Sequence, residues 1–235
     1  MDNPTGAQRM SYTGSKGQAG TFQRIIGNMP PHSLYVEPFF GSGQIFFRKK
    51  PASRNVIIDA DAKCIFEARL AVSNWNQQVF SHVGDALEIL ATMLDTLPAD
   101  ALIYADPPYV LSTRGGRRYY DHEMSDAQHT ALLTLLQAMK CRVMISGYPS
   151  LLYSKMLSAW RCISYRTRTR GRTLTECLWL NFPEATELHD WRFAGLNYRE
   201  RLTLKRQAAR WTARIDKMPP LKRGFLLHAI AQRQP

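Results

Sequence analysis

Leu34-Tyr35-Val36-Glu37-Pro38-Phe39-Phe40-Gly41-Ser42-Gly43 reads as a short buried strand that runs directly into a polar, glycine-bearing turn. Glycines placed after a strand let the backbone turn tightly and let a ligand come close. Upstream, residues 21–28 have the pattern of a short helix stopped by Pro30 and Pro31. Downstream, Gln44 to Arg48 is expected to open a helix. Val56-Ile57-Ile58 is a second apolar strand ending at Asp59-Ala60-Asp61, and residues 62–73 read as a helix. Val79 to Val83 is a third strand, ending at Gly84-Asp85, with a helix over residues 86–95. Ala101 to Ala105 is a fourth strand that runs into Asp106-Pro107-Pro108-Tyr109. A helix over residues 126–139 and a fifth strand, Arg142 to Ser146, follow.

Short apolar strands alternating with helices specify βαβ units, hence an α/β fold with a mostly parallel sheet covered on both faces. In such sheets ligands sit outside the carboxyl ends of the strands. The polar motifs fall at those ends: Glu37 to Gly43, Asp59, Asp85, and Asp106 to Tyr109. One acidic residue there is an ordinary loop carboxylate. Four in corresponding positions converge on one crevice and mark a site.

Charge divides the chain. Residues 1–110 hold 9 Lys/Arg and 10 Asp/Glu, whereas residues 111–235 hold 22 and 9, within a total of +12 over 235 residues. A basic half on an otherwise neutral protein suits a polyanion such as nucleic acid. With 45% hydrophobic and 21% charged residues the composition is that of a globular protein, not of a disordered one. No run of about 18 apolar residues is present, so no membrane partner is expected. The N-terminus lacks a basic-then-apolar leader pattern. Cys64, Cys141, Cys162 and Cys177 stand far apart with no CxxC pair. That argues against a zinc or thiol-redox motif, predicts no metal, and fits a reducing, cytoplasmic location.

Asp106-Pro107-Pro108-Tyr109 carries the sharpest chemistry. Two prolines fix the backbone and remove two N–H donors. The turn then presents only acceptors, a carboxylate and carbonyls, beside an aromatic ring. An amino group on a nucleobase needs this arrangement, because its lone pair is delocalised into the ring and is a poor nucleophile. Acceptors on its two hydrogens favour a pyramidal nitrogen and take up developing positive charge. The glycine turn is weaker evidence: neither GxGxxG nor GxxxxGKS is present, so a phosphate cradle has no support. At Asp59 two roles are open, a carboxylate on ribose hydroxyls or a cap on the following helix, which Asp61 would serve equally.

Taken in order, these segments resemble the Dam-type DNA N6-adenine methyltransferases. The matching pieces are Tyr12-Thr13-Gly14-Ser15-Lys16, Val36 to Gly43, Ile58 to Asp61, Gly84-Asp85 and Asp106 to Tyr109; Ser146-Gly147-Tyr148 and Glu176 to Asn181 are similar to later family elements. The resemblance implies a Rossmann-like S-adenosylmethionine-dependent methyltransferase fold over residues 10–183, with a small basic helical extension over 184–235. It implies S-adenosyl-L-methionine as cofactor. Tyr12 and Lys16 match a pair that contacts it, and Glu37, Pro38, Phe39, Gly41, Ser42 and Gly43 match the turn beneath its methionine end. Asp59 matches the carboxylate on its ribose and Asp85 the acidic position near its adenine. Asp106 matches the catalytic carboxylate bordering the cofactor. Pro107 and Pro108 complete the catalytic turn, with a carbonyl from Pro107, and Tyr109 matches the residue that stacks the target adenine. Because the amino group cannot reach a cofactor from inside a duplex, the base must flip out. The transfer is expected to be direct, with no covalent enzyme intermediate.

The pattern breaks between Asp85 and Asp106, where only 20 residues stand in place of a target-recognition region. That shortening implies short or relaxed sequence specificity. The sequence-reading role falls to the basic half. Leu111 to His122 carries Arg114, Arg117 and Arg118 around Gly115-Gly116, read as a hairpin turn, with Tyr119 and Tyr120 next. Arg161 to Arg172 has Arg166, Arg168, Arg170 and Arg172 alternating, which predicts a cationic strand face. In residues 197–231, Leu204, Ala208, Trp211 and Ile215 form an apolar helical stripe opposite Arg199, Arg206, Arg210 and Lys217. This tail reads equally as a DNA-docking appendage or as a hairpin packed on the sheet. Double-stranded DNA is the leading partner. The same chemistry on RNA or single-stranded DNA, and a non-catalytic nucleic-acid-binding protein on a methyltransferase scaffold, are the alternatives.

Overall fold

The computed structural model describes residues 16–18, 20–115, 122–169 and 172–233. Tyr12, Arg117, Arg118 and Arg170, all expected in sites, lie outside the described residues. Two units are distinguished by their internal contacts, residues 1–191 and 192–235.

The first unit is built on one seven-stranded sheet. Its strands are β1 (Leu34–Pro38), β2 (Arg54–Asp59), β3 (Gln78–Val83), β4 (Leu102–Ala105), β5 (Arg142–Gly147), β6 (Arg161–Thr169) and β7 (Arg172–Leu180). They lie in the order β3-β2-β1-β4-β5-β7-β6. The first five are mutually parallel, and β7 runs antiparallel to both β5 and β6. This is a Rossmann-like architecture, with a β6/β7 hairpin closing one edge. The helices are α1 (Thr21–Ile26), α2 (Ala62–Ala71), α3 (Ala86–Met93), α4 (Asp126–Ala138) and α5 (Leu151–Met156).

Burial follows strand position. Every residue of β1 and β4 is buried, as central parallel strands require, while the edge strand β3 is largely exposed. Ser125 and Gln128 form a reciprocal cap at the start of α4. That helix seats Leu132, Leu133 and Leu136, each fully buried, against Val143 and Ile145 of β5 and their neighbours in the core. Each such side chain stabilises the fold by roughly 1.5–3 kcal/mol. Asn181 fixes the register of β7 on β5. Its amide donates to the Cys141 carbonyl at 2.9 Å and its carbonyl accepts from the Val143 N–H at 2.8 Å.

Two local expectations are corrected. Gln44 to Arg48 forms hydrogen-bonded turns rather than a helix, with the Phe47 N–H donating to the Gly43 carbonyl at 2.9 Å and the Lys49 N–H to Ile45 at 3.0 Å. Aromatic packing holds this compact shape: Phe46 stacks on Trp75, with centroids 5.2 Å apart, and Phe47 meets the same ring edge-on. Leu111–Arg114 is a single 3₁₀ turn ended by Gly115 in the left-handed conformation, not a hairpin strand. The cationic strand expected over Arg161 to Arg172 is divided: Arg166 and Arg168 lie on β6, which ends at Thr169, and Arg172 opens β7, in register with Thr169. Cys64, Cys141 and Cys177 are buried, Cys162 is exposed, and all four thiols are free.

The second unit consists chiefly of α6 (Tyr198–Asp216) and α7 (Pro220–Ala231). Asn197 caps α6 by accepting from the Glu200 N–H at 3.0 Å, and Pro220 occupies the first position of α7, where its missing N–H is harmless. Arg206 and Arg210 are exposed. So are Leu204 and Trp211 of the apolar stripe. No helix among the described residues is long and apolar enough to cross a membrane.

Candidate active site

The sheet order reverses at β1 and β4, since the chain moves outward from β1 to β2 and β3 on one side and from β4 to β5 on the other. A crevice opens at the carboxyl ends of strands at such a point. Here it is a cavity of about 640 Å³, and Phe39, Gly41, Asp59, Gly84, Asp85, Asp106 and Pro108 are among the residues that line it. Three carboxylates expected from four strand ends therefore meet in one space.

The first wall is the turn after β1. Phe39, Gly41 and Gly43 all have positive φ, at 62°, 51° and 59°. The glycines adopt it freely; for Phe39 it is a strained position of the kind held at functional sites. Gly43 is required twice over, because a Cβ there would come within 2.3 Å of the Phe40 ring. The Asp59 carboxylate ties this turn to β2: one oxygen accepts from the Gly41 N–H at 2.6 Å, the other from the Asp61 N–H at 2.9 Å. Burial raises the Asp59 carboxyl above its ordinary pKa, partly offset by those two donors. The cap on α2 is Asp61, which accepts from the Lys63 N–H at 2.8 Å, so Asp59 is not needed there. Asp85 does cap α3, accepting from Leu87 and Glu88, and faces the cavity as well.

Glu37, Pro38, Ser42 and Gly43 are not among the lining residues. Glu37 is buried beneath, where the Tyr35 hydroxyl donates to it at 2.7 Å. Desolvation pushes its carboxyl up to about 8.

The second wall is the Asp106 turn. Lys16 is buried beside it, 3.0 Å from Asp106 Oδ1 and 3.7 Å from Glu176 Oε2. Its ammonium also donates to the Tyr109 hydroxyl and lies 4.6 Å from that ring's centroid. Burial disfavours the ammonium, yet the two carboxylates outweigh it and hold Lys16 above its ordinary pKa. Burial raises the Asp106 carboxyl, with Lys16 opposing. Tyr109 is turned inward, packed edge-on against Tyr148 with centroids 4.5 Å apart. Its hydroxyl meets Lys16, and Tyr109 is not among the residues that line the cavity, whereas Asp106 and Pro108 are.

Arg114, expected to reach a phosphate, is turned inside. Its guanidinium is 4% exposed and forms a two-pronged pair with Glu123, while Nε donates to the Tyr109 carbonyl at 2.8 Å. A fork-shaped cation matched to a carboxylate in this way is a structural clasp. It binds the Asp106 turn to Glu123, which also lines the cavity. Arg166 is exposed on the β6/β7 hairpin.

Sequence reasoning missed His122, Glu123, Met124 and Gln128 on the cavity wall, and Glu176 and Tyr165 beneath the catalytic turn. Only Glu176 carried a signal, its place in a segment similar to a late family element.

Four carboxylates, Asp59, Asp85, Asp106 and the Arg114-paired Glu123, line the cavity, and no Lys or Arg does among the described residues. In a protein of net charge +12 this is an acidic pocket, suited to a ligand with polar hydroxyls and a positive centre.

No family model matches this sequence, and no curated protein matches it. Solved structures with a similar fold include M. capricolum TrmK in complex with S-adenosyl-homocysteine (9% identity, 92% of this chain and 95% of that one, TM-score 0.49). Others are the 23S rRNA methyltransferase ErmE (12%, 73% and 70%, 0.48) and an Agrobacterium tumefaciens SAM-dependent methyltransferase (14%, 68% and 58%, 0.46).

Proposed function

We propose that the chain is an S-adenosyl-L-methionine-dependent DNA adenine-N6 methyltransferase of short or relaxed sequence specificity. The observation that carries this reading is the position of the Asp106-Pro107-Pro108-Tyr109 turn. It ends β4 at the switch point of the sheet and sets Asp106 on the same cavity as Asp59 and Asp85.

The cavity fits the cofactor. Asp59 and Asp85 suit its ribose and adenine ends, Gly41 and Gly84 leave room for close approach, and the acidic lining suits a sulfonium. S-adenosylmethionine supplies an electrophilic methyl group when bound. The chain's own contribution is to hold the amine. Asp106 accepts one N–H of the adenine amino group and the Pro107 carbonyl the other, which frees the nitrogen lone pair and stabilises charge developing on it. Neither proline can donate a competing N–H. A base reaches this turn only when extruded from the duplex, at a cost of roughly a few kcal/mol. Arg166 on the β6/β7 hairpin and, separately, Arg206 and Arg210 on α6 are exposed cations available to a phosphate backbone.

Incubation with methyl-labelled cofactor and, in parallel, duplex DNA, single-stranded DNA and RNA tests the reading. Label recovered as N6-methyladenine in duplex DNA is expected, spread over short or degenerate sites. Label on RNA alone would assign the same chemistry to the other polymer. Label on cytosine, or on none of the three, would overturn the adenine reading, and one fixed motif of five or more bases would overturn relaxed specificity.

A further inference from the structure

Lys16 stands where a target amino group has to go. Its ammonium occupies Asp106 and also donates to the Tyr109 hydroxyl. A buried ammonium cannot simply be released from its counter-ion, because an unpaired charge in the interior costs several kcal/mol. Glu176 solves that problem. It is buried, does not line the cavity, and already sits 3.7 Å from the ammonium. It is aimed by the β6/β7 hairpin, in which Tyr165 and Glu176 are directly paired and the Tyr165 hydroxyl donates to Glu176 Oε2 at 3.2 Å. Shortening the 3.7 Å separation to a charge-assisted hydrogen bond of about 2.8 Å needs a shift of only about 1 Å. The two carboxylates thus differ in place: Asp106 opens on the cavity, and Glu176 lies behind it.

We propose that Glu176 is a positioning residue that takes over the Lys16 ammonium when Asp106 exchanges its ion pair for the amino group of the target. The proposal rests on the amino-group reading of the site, and its first test is independent of activity.

Acetic anhydride labelling of Lys16 is measured by mass spectrometry in the full chain. The diagnostic peptide is Met10 to Arg24, left intact when Lys16 is acetylated and trypsin cannot cut there. In the parent protein Lys16 is protected. In Asp106→Asn the ammonium passes to Glu176, so labelling stays within about threefold of the parent. In Asp106→Asn/Glu176→Gln it rises more than tenfold. Equal labelling of the single and double variants, whether fast or slow, overturns the proposal. Folding is checked by thermal melting. If the double variant does not fold, Glu176→Asp replaces Glu176→Gln; the carboxylate retracted by one methylene raises labelling about threefold over Asp106→Asn, and no rise overturns the proposal.

The activity readout is a double-mutant cycle. Glu176→Gln lowers kcat/KM on duplex DNA about tenfold in the parent but less than twofold in Lys16→Met, with S-adenosylhomocysteine affinity unchanged by Glu176→Gln. Equal losses in both backgrounds overturn the role. If the labelling pattern holds while the parent methylates no nucleic acid, the ion-pair exchange stands and the adenine reading falls.

Discussion

The Lys16 ammonium and the Asp106 carboxylate form a buried ion pair at 3.0 Å, joining the start of the described chain to the turn at the end of β4. Asp106 is therefore held and oriented before any ligand arrives. Asp106→Ala removes the acceptor proposed for the amino group. The expected loss is on the order of 10²–10³-fold in kcat, the usual cost of one such preorganised partner. Cofactor affinity, measured by calorimetry with S-adenosylhomocysteine, changes much less. Methyl incorporation equal to that of the parent would refute the assignment.

Arg114 gives a prediction opposite to that for a phosphate contact. Arg114→Ala strands the half-buried Glu123 and leaves the Tyr109 carbonyl without its donor. Breaking a buried pair from one side costs about 3 kcal/mol or more, so Tm should fall by roughly 6–12 °C for a unit of this size. The dependence of DNA affinity on salt should not change. A stable variant with a shallower salt slope would return Arg114 to the polyanion interface.

The turn after β1 tolerates no side chain at Gly43. A Cβ there meets the Phe40 ring at 2.3 Å and is strained by a φ of 59°. Gly43→Ala should destabilise the protein by about 2 kcal/mol or more and weaken S-adenosylhomocysteine binding about tenfold, through displacement of Phe39 and Gly41. Unchanged affinity would separate this turn from the cofactor.

Acid should destabilise the fold through buried neutral histidines. Burial lowers His32 to about 2, and His129 and His189 to about 4. Each binds a proton in the unfolded chain below about pH 6.5 while staying neutral in the native one, so the unfolded state gains protons as pH falls. Stability is complete above that pH and drops from about 6.5 toward 4, by up to roughly 1.4 kcal/mol per pH unit for each group. Glu37 acts in the other sense: raised to about 8, it favours the native state at low pH and costs stability as pH rises from about 4.5 to 8. His129→Asn should flatten the fall in Tm between pH 7 and 5. A slope equal to the parent's would exclude His129 as a contributor.

On α6, Arg206 and Arg210 are exposed on the polar side of the helix. If they meet phosphates, Arg206→Ala/Arg210→Ala lowers the magnitude of the log–log salt slope of DNA binding by about 2, while cofactor binding is preserved. An unchanged slope would remove α6 from the interface.

The parts of this fold that could be read from sequence are those governed by local rules. The Asp106 turn was visible because prolines, carboxylate and aromatic sit side by side, and β1, β2 and β4 because central parallel strands are continuously apolar. The compact turn at Gln44 to Arg48 was not, because its shape depends on Trp75, far along the chain. Arg114 looked like a surface cation, since nothing local announces Glu123 as its partner nine residues on. Glu176 was hidden for the same reason: in an alternating strand it resembles any polar residue, and only the pairing of β6 with β7 turns it toward Lys16.

The antiparallel hairpin has a consequence for biosynthesis. Glu176 leaves the ribosome some 160 residues after Lys16, when every parallel strand has been made. Contacts so distant in sequence form late and slowly. A nascent chain halted before β7 holds the Asp106 turn but not the second carboxylate, nor the strand that covers β5. Completion of the Lys16, Asp106 and Glu176 cluster is thereby timed to the last strands of the sheet, and chains terminated before β7 are left without it.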